Sequence, residues 1–145
     1  MMYEIEKKFT FEAAHVLENL DKGHPCGSIH GHSYKLYIKI SSEKLDDTGF
    51  IIDFGKLKDF GKEFIDKYFD HSLIITVNSC YSTKDSKIYI MPKEYTNTTV
   101  ENMCSHITKL LLDFFKLIKF DSFYKIRVKM FETENNSGSY TYIKN

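Results

Sequence analysis

His30–Ser41 reads HGHSYKLYIKIS, and its alternation decides what runs through the middle of the fold. From Ser33 onward, Tyr34, Leu36, Ile38 and Ile40 alternate with Ser33, Lys35, Lys39 and Ser41. Successive side chains of a strand point to opposite faces, so this period of two marks a half-buried strand. His30 and His32 share the parity of the apolar set. Carrying the strand back to them turns both imidazoles toward the covered side. A first strand over about Tyr3 to Ala14 can lie antiparallel to it and bring His15, the last residue of FTFEAAH, alongside.

Three imidazoles gathered in this way make a metal site. Three protein nitrogens with a fourth position open is the pattern of a catalytic zinc, whereas a structural zinc is closed by four protein ligands. Cys26, in the segment GHPCGSIHGHSY, adds a nearby thiol that can act as a base or a nucleophile. A lone His-x-His pair also occurs as two ordinary histidines beside a turn. The third histidine and the cysteine favour zinc-assisted chemistry on a small molecule.

Outward from this strand the chain alternates between clear elements and one opaque stretch. DDTG is a turn, and Asp53 is placed to cap a helix whose stripe is Phe54, Leu57, Phe60, Phe64, Ile65 and Tyr68. Ser72 to Asn97 reads as an irregular loop with room for one extra strand or turn around Ile88 to Met91. A second helix follows over about Thr99 to Phe115, with Thr98 and Glu101 spaced as a capping box. Phe123 to Glu132 alternates again, and a closing strand over about Tyr140 to Lys144 follows the turn NNSGS. The order β-β-α-α-β-β predicts an α+β fold, a four-stranded antiparallel sheet with two helices inserted between strands 2 and 3. Such a sheet has open edges, which invite pairing with further copies of the chain and closure into a barrel.

Composition bounds the rest. The 145 residues are expected to form a single domain, 1–145, with 12 Phe and 10 Tyr to fill its core. Twenty basic and 20 acidic residues cancel, so no electrostatic footprint for nucleic acid or an anionic membrane is present. No apolar run suggests a leader or a membrane span. The three cysteines, Cys26, Cys80 and Cys104, have no disulfide spacing, so a cytoplasmic location is expected.

Beyond the histidines, Glu132 has the parity of Ile126, Val128 and Met130. Either it is held on the covered face, where a carboxylate needs a partner and suits a ligand with adjacent N–H donors, or the strand has ended and it is solvated. Asp70 and His71, in YFDHSLI, can form a proton carrier or can be an ordinary helix terminus. His24 carries little signal, and His106 reads as a surface or boundary residue of the second helix.

FTFEAAH, CGSIHGHSYKL, TGFIIDFGKLK, FDHSLI, TTVEN and FETENN together, in this order and spacing, resemble the 6-pyruvoyl-tetrahydropterin synthase superfamily over nearly the whole chain. The resemblance implies the T-fold (tunnelling fold) and trimers stacked into hexamers, with active sites at subunit interfaces and 7,8-dihydroneopterin triphosphate as substrate. By motif, His15, His30 and His32 match the zinc ligands and Cys26 the catalytic cysteine. Asp70 and His71 match acid/base partners supplied by a neighbouring subunit. Glu132 matches the glutamate that anchors the pterin ring, and Thr99 and Glu101 fall in the segment lining the pterin pocket.

The short gap between Cys26 and HGH looks like the bacterial 6-carboxy-5,6,7,8-tetrahydropterin synthase of queuosine biosynthesis, which releases acetaldehyde and triphosphate. FETENN looks more like the pyruvoyl enzyme of tetrahydrobiopterin biosynthesis, which eliminates triphosphate. A glutamate-based variant is disfavoured, since Gly27, Ser28 and Ile29 are not acidic. Readings from other classes are a zinc hydrolase, which would not need Cys26, and a non-catalytic pterin- or zinc-binding T-fold protein.

Overall fold

The computed structural model describes residues 1–145. Its spine is the antiparallel pair β1 (Tyr3–His15) and β2 (His30–Ser42), in register along their full length from Tyr3↔Ser42 to His15↔His30. β2 also pairs antiparallel with the later strand Lys125–Phe131, which pairs in turn with Ser137–Ile143. These four strands are the sheet expected from the alternation.

The sheet is larger than expected. Two short strands, β3 (Ser72–Ile75) and β4 (Ile88–Ile90), extend it beyond β1, and both run parallel to their neighbours. With Lys125–Phe131 as β5 and Ser137–Ile143 as β6, the order is β4-β3-β1-β2-β5-β6, so the sheet is mixed and six-stranded rather than antiparallel and four-stranded. The reason is length. Strands of four and three residues are too short to display a period of two, and β3 pairs only with the Ala13–His15 end of β1. The rest of β1's outer edge remains free of β3.

Two helices cover one sheet face. α1 (Phe54–Phe60) begins where expected, with Asp53 accepting a hydrogen bond from the Gly55 amide at 2.6 Å. It continues without a break into wider π-type turns over Gly61–Phe69. The widening coincides with a tight approach to β1: a Cβ on Gly61 would lie 2.5 Å from Cε1 of Phe9. Wider turns also shift the phase of the buried stripe, so Leu57, Phe60, Gly61, Ile65 and Phe69 face inward. Tyr68, expected in the stripe, is exposed.

α2 (Val100–Leu117) packs across β5 and β6 and buries Met103, Cys104, Ile107, Leu111 and Phe115 against them. Its cap is Thr99, whose hydroxyl accepts from the Asn102 amide at 3.3 Å, and not Thr98. Glu101 therefore falls one position short of a capping box. The preceding threonine is drawn away from the helix, because Thr98 Oγ1 donates to the Val16 carbonyl at the end of β1 at 3.1 Å. No helix is long and apolar enough to cross a membrane.

Candidate metal centre and its surroundings

The β1–β2 register puts His15 directly opposite His30, and His32 two residues further along the same face. One nitrogen from each ring lies within 4.8 Å of the others, and the three rings meet edge to face. His15 is buried, and His30 and His32 are half-buried at the sheet end. Beneath them lies Tyr34, fully buried, with no hydrogen-bond partner for its hydroxyl.

The backbone fixes which nitrogens face inward. His15 Nδ1 donates to the Thr98 carbonyl at 2.8 Å, and His30 Nδ1 donates to the Ser28 carbonyl at 2.6 Å. Each imidazole then has its lone pair on Nε2, and the two Nε2 atoms stand 3.0 Å apart. Two lone pairs at that distance repel unless a cation lies between them. His32 Nε2, also buried, has no partner at all. A divalent metal satisfies all three nitrogens at once, and carbonyls bonded to the outer ring nitrogens are the usual device for orienting metal-binding histidines. Electrostatics agrees with that arrangement. Burial, reinforced by His30 and His32, pushes His15 down to about 4, and burial lowers His32. Both are therefore neutral near pH 7, the form that binds metal.

Glu132 follows β5 and turns inward as its parity allows. Its Oε1 comes to 3.8 Å of His15 Nε2, at the rim of the triad, with the side chain 23% exposed. β5 ends at Phe131, so Glu132 stands just past the strand, partly covered at the rim and partly in contact with solvent.

Asp70 and His71 form a pair of their own, with His71 Nδ1 2.9 Å from Asp70 Oδ2. They sit between the first helical segment and β3, on the far side of β1. Asp70 Oδ1 accepts from the Glu12 amide at 2.9 Å, and the His71 amide donates to the Glu12 carbonyl at 2.6 Å. Burial raises Asp70's carboxyl, but the Glu12 amide, His71 and Lys87 outweigh it and leave the group below its usual range. His71 and His32 line a common open cleft with Glu12, Ser33, Ser86 and Lys87, yet His71 makes no contact with the triad.

Cys26 lies on a short 3₁₀ turn, Pro25–Gly27, with its amide bonded to His24 Nδ1. Its thiol is half-buried and stands outside the cluster of ligand atoms. Thr99 caps α2 and is half-buried, and Glu101 is exposed beside it. The structure thus gathers His15, His30, His32 and Glu132 and pairs Asp70 with His71. Within one chain it does not join the two groups.

Three members of the site escaped the sequence. Ser28 supplies the carbonyl that orients His30. Thr98 supplies the carbonyl that orients His15, and Tyr34 forms the floor. A carbonyl has no signature in a sequence. Tyr34 has one, its place two residues beyond His32 on the same face, which alternation alone assigns to the core. His106 was also misplaced. It is buried, with its Nε2 bonded to the hydroxyl of Tyr89 on β4.

The profile of the 6-pyruvoyl tetrahydropterin synthase family matches residues 4–142. The chain belongs to that family. Among its relatives in the 6-pyruvoyl tetrahydropterin synthase family, the 6-carboxy-5,6,7,8-tetrahydropterin synthase of Rickettsia conorii is 35% identical over 144 residues, covering 92% of this chain and 96% of the relative. The enzyme of the same name from Rickettsia typhi is 33% identical over the same shares of the two chains. The fold is that of the 6-pyruvoyl tetrahydropterin synthase of Plasmodium falciparum, with a TM-score of 0.80 over 99% of both chains at 20% identity.

Proposed function

We propose that this chain is a zinc-dependent synthase that converts 7,8-dihydroneopterin triphosphate to 6-carboxy-5,6,7,8-tetrahydropterin, acetaldehyde and triphosphate. The observation that carries the reading is the convergence of His15, His30 and His32, with the outer nitrogens of His15 and His30 committed to carbonyls and His32 Nε2 left without a partner. Family membership and the names of the Rickettsia relatives support the substrate class.

His15, His30 and His32 hold the zinc, which when bound supplies Lewis-acid polarisation of the substrate's side-chain oxygens. Glu132, at the rim, anchors the pterin ring, because a carboxylate accepts two parallel N–H bonds from an amino-pyrimidinone edge. Thr99 and Glu101 line the ring pocket. Cys26 as thiolate takes a proton from the side-chain carbon, and His71, oriented by Asp70, moves a second. The Asp70–His71 pair acts in the site of a neighbouring copy, which accounts for its separation from the triad within one chain. The free outer edges of β6 and of most of β1 favour a homo-oligomer, closed into a barrel and stacked as a hexamer of two trimers. The chain works as one domain in the cytoplasm, with no nucleic-acid or membrane partner.

Product analysis tests this. Zinc-loaded protein given 7,8-dihydroneopterin triphosphate should yield carboxytetrahydropterin and acetaldehyde, read by mass spectrometry and an aldehyde assay. Pyruvoyl-tetrahydropterin without acetaldehyde would move the chain to the other branch of the family. Full activity in Cys26→Ala would favour a zinc hydrolase, and no turnover a binding protein.

A further inference from the structure

The β3–β4 unit is the part of the chain that the reaction does not absorb, and Lys87, just ahead of β4, ties it to the Asp70–His71 pair. The Lys87 ammonium donates to the carbonyl of Asp70 at 2.7 Å and to that of Asp66 at 3.1 Å. These are acceptors at the C-terminal end of the helix, where carbonyls lack helical partners and the helix dipole is negative. No carboxylate makes a direct ion pair with Lys87, whose charge acts on the Asp70 carboxyl only from a distance. Its main chain is fixed as well, because the Leu73 amide donates to the Lys87 carbonyl at 2.9 Å and the parallel β3–β4 ladder starts at the next residue.

The Asp70 carbonyl belongs to the peptide bond that leads into His71. The other end of that peptide plane, the His71 amide, donates to the Glu12 carbonyl. Lys87 and Glu12 therefore grip one peptide plane from its two ends. The plane needs gripping. His71 has φ of 60°, a left-handed conformation that is uncommon for a residue with a Cβ and costs about 1 kcal/mol or more. Its ring is 77% exposed and bonds to Asp70 through Nδ1, so packing does little to hold it in place.

We infer that Lys87 is a positioning residue: from the start of β4 it locks the Asp70–His71 peptide, and so aims the His71 imidazole. The inference rests on the proposed reaction, in which His71 carries a proton. It also gives the β3–β4 unit a role, since a ladder pinned to β1 brings the ammonium to the helix end at a fixed height. A lysine that merely capped the helix would contribute to stability and leave the ring's behaviour unchanged.

Lys87→Met and Lys87→Arg, each in the full zinc-loaded protein, separate the two. Lys87→Met should lower kcat by roughly tenfold or more, the scale of a misaimed proton carrier, with KM within about twofold. Lys87→Arg, which can still donate to both carbonyls, should recover most of the loss. The His71 ring resonances, followed by carbon–proton NMR, should move in the methionine variant and return in the arginine variant. Zinc content keeps the comparison to folded protein. Unchanged kcat together with unmoved His71 resonances in Lys87→Met would overturn the inference. Failure of the wild-type protein to turn over the pterin would overturn the proposed reaction instead, and the NMR comparison would then decide the positioning on its own.

Discussion

His32 presents a buried Nε2 with no partner, next to two imidazoles whose lone pairs face each other at 3.0 Å. Leaving such atoms unpaired costs free energy, so the triad is built for a cation. Replacing His32 by alanine should lower zinc affinity by more than about 100-fold, because even outer partners of a ligand cost 10- to 100-fold. Zinc content after dialysis against a weak chelator reads this directly, and a variant that retains one zinc per chain would refute the assignment. Glu132 can be tested independently of the metal. Its carboxylate lies at the rim, within 3.8 Å of His15. Glu132→Gln keeps the shape and removes the charge, so pterin binding should weaken by about 2 kcal/mol, roughly 30-fold in Kd. Calorimetric titration with a non-reactive pterin checks it.

At the scale of elements, the β1–helix contact is the most demanding. Gly61 approaches Phe9 so closely that a Cβ would sit 2.5 Å from one ring carbon and 2.8 Å from the next. Gly61→Ala gains helix propensity of about 1 kcal/mol, but overpacking costs about 1–3 kcal/mol. The net should be a loss, seen as a lower urea midpoint. An unchanged or higher midpoint would mean that Phe9 yields freely. This contact also explains what the sequence could and could not reveal. β1, β2 and β5 are long enough for alternation to declare them, and parity places His30 and His32 on the covered face with His15 alongside. The direct pairing of His15 with His30 is a matter of register that only the structure gives. The π-type turns at Gly61 answer to a ring on a distant strand, so the inward position of Phe69 was illegible. β3 and β4 are too short to carry a period. The sequence leaves room for a strand around Ile88 to Met91, but nothing in it places that strand beside β3 or shows that Tyr89 would cover His106. The capping-box spacing to Glu101 favours Thr98 over Thr99 in the sequence, and only the Val16 carbonyl, which engages Thr98, passes the cap to Thr99.

For the whole molecule, the same burial makes stability depend on pH. His106 is 5% exposed and is faced by Tyr89 from β4, by Tyr95, and by the rim charges Glu94 and Lys109. Burial pushes it down to about 4 from an ordinary 6.5, with Lys109 adding to the effect and Glu94 opposing it. Above pH 6.5 His106 is neutral in both the folded and the unfolded chain, and the folded state bears no penalty. Between 6.5 and about 4 the unfolded chain takes up a proton that the folded chain refuses, so stability falls as pH falls. The loss between pH 7 and pH 5 attributable to His106 is about 2 kcal/mol. His15 is depressed in the same direction, so the contribution must be read as a difference between proteins. Urea unfolding of wild type and His106→Gln at pH 7 and pH 5, at one protein concentration and one zinc concentration, isolates it. The wild type should lose about 2 kcal/mol more than the variant. Equal losses would mean that His106 is protonated in the folded protein and that its bond to Tyr89 survives the charge.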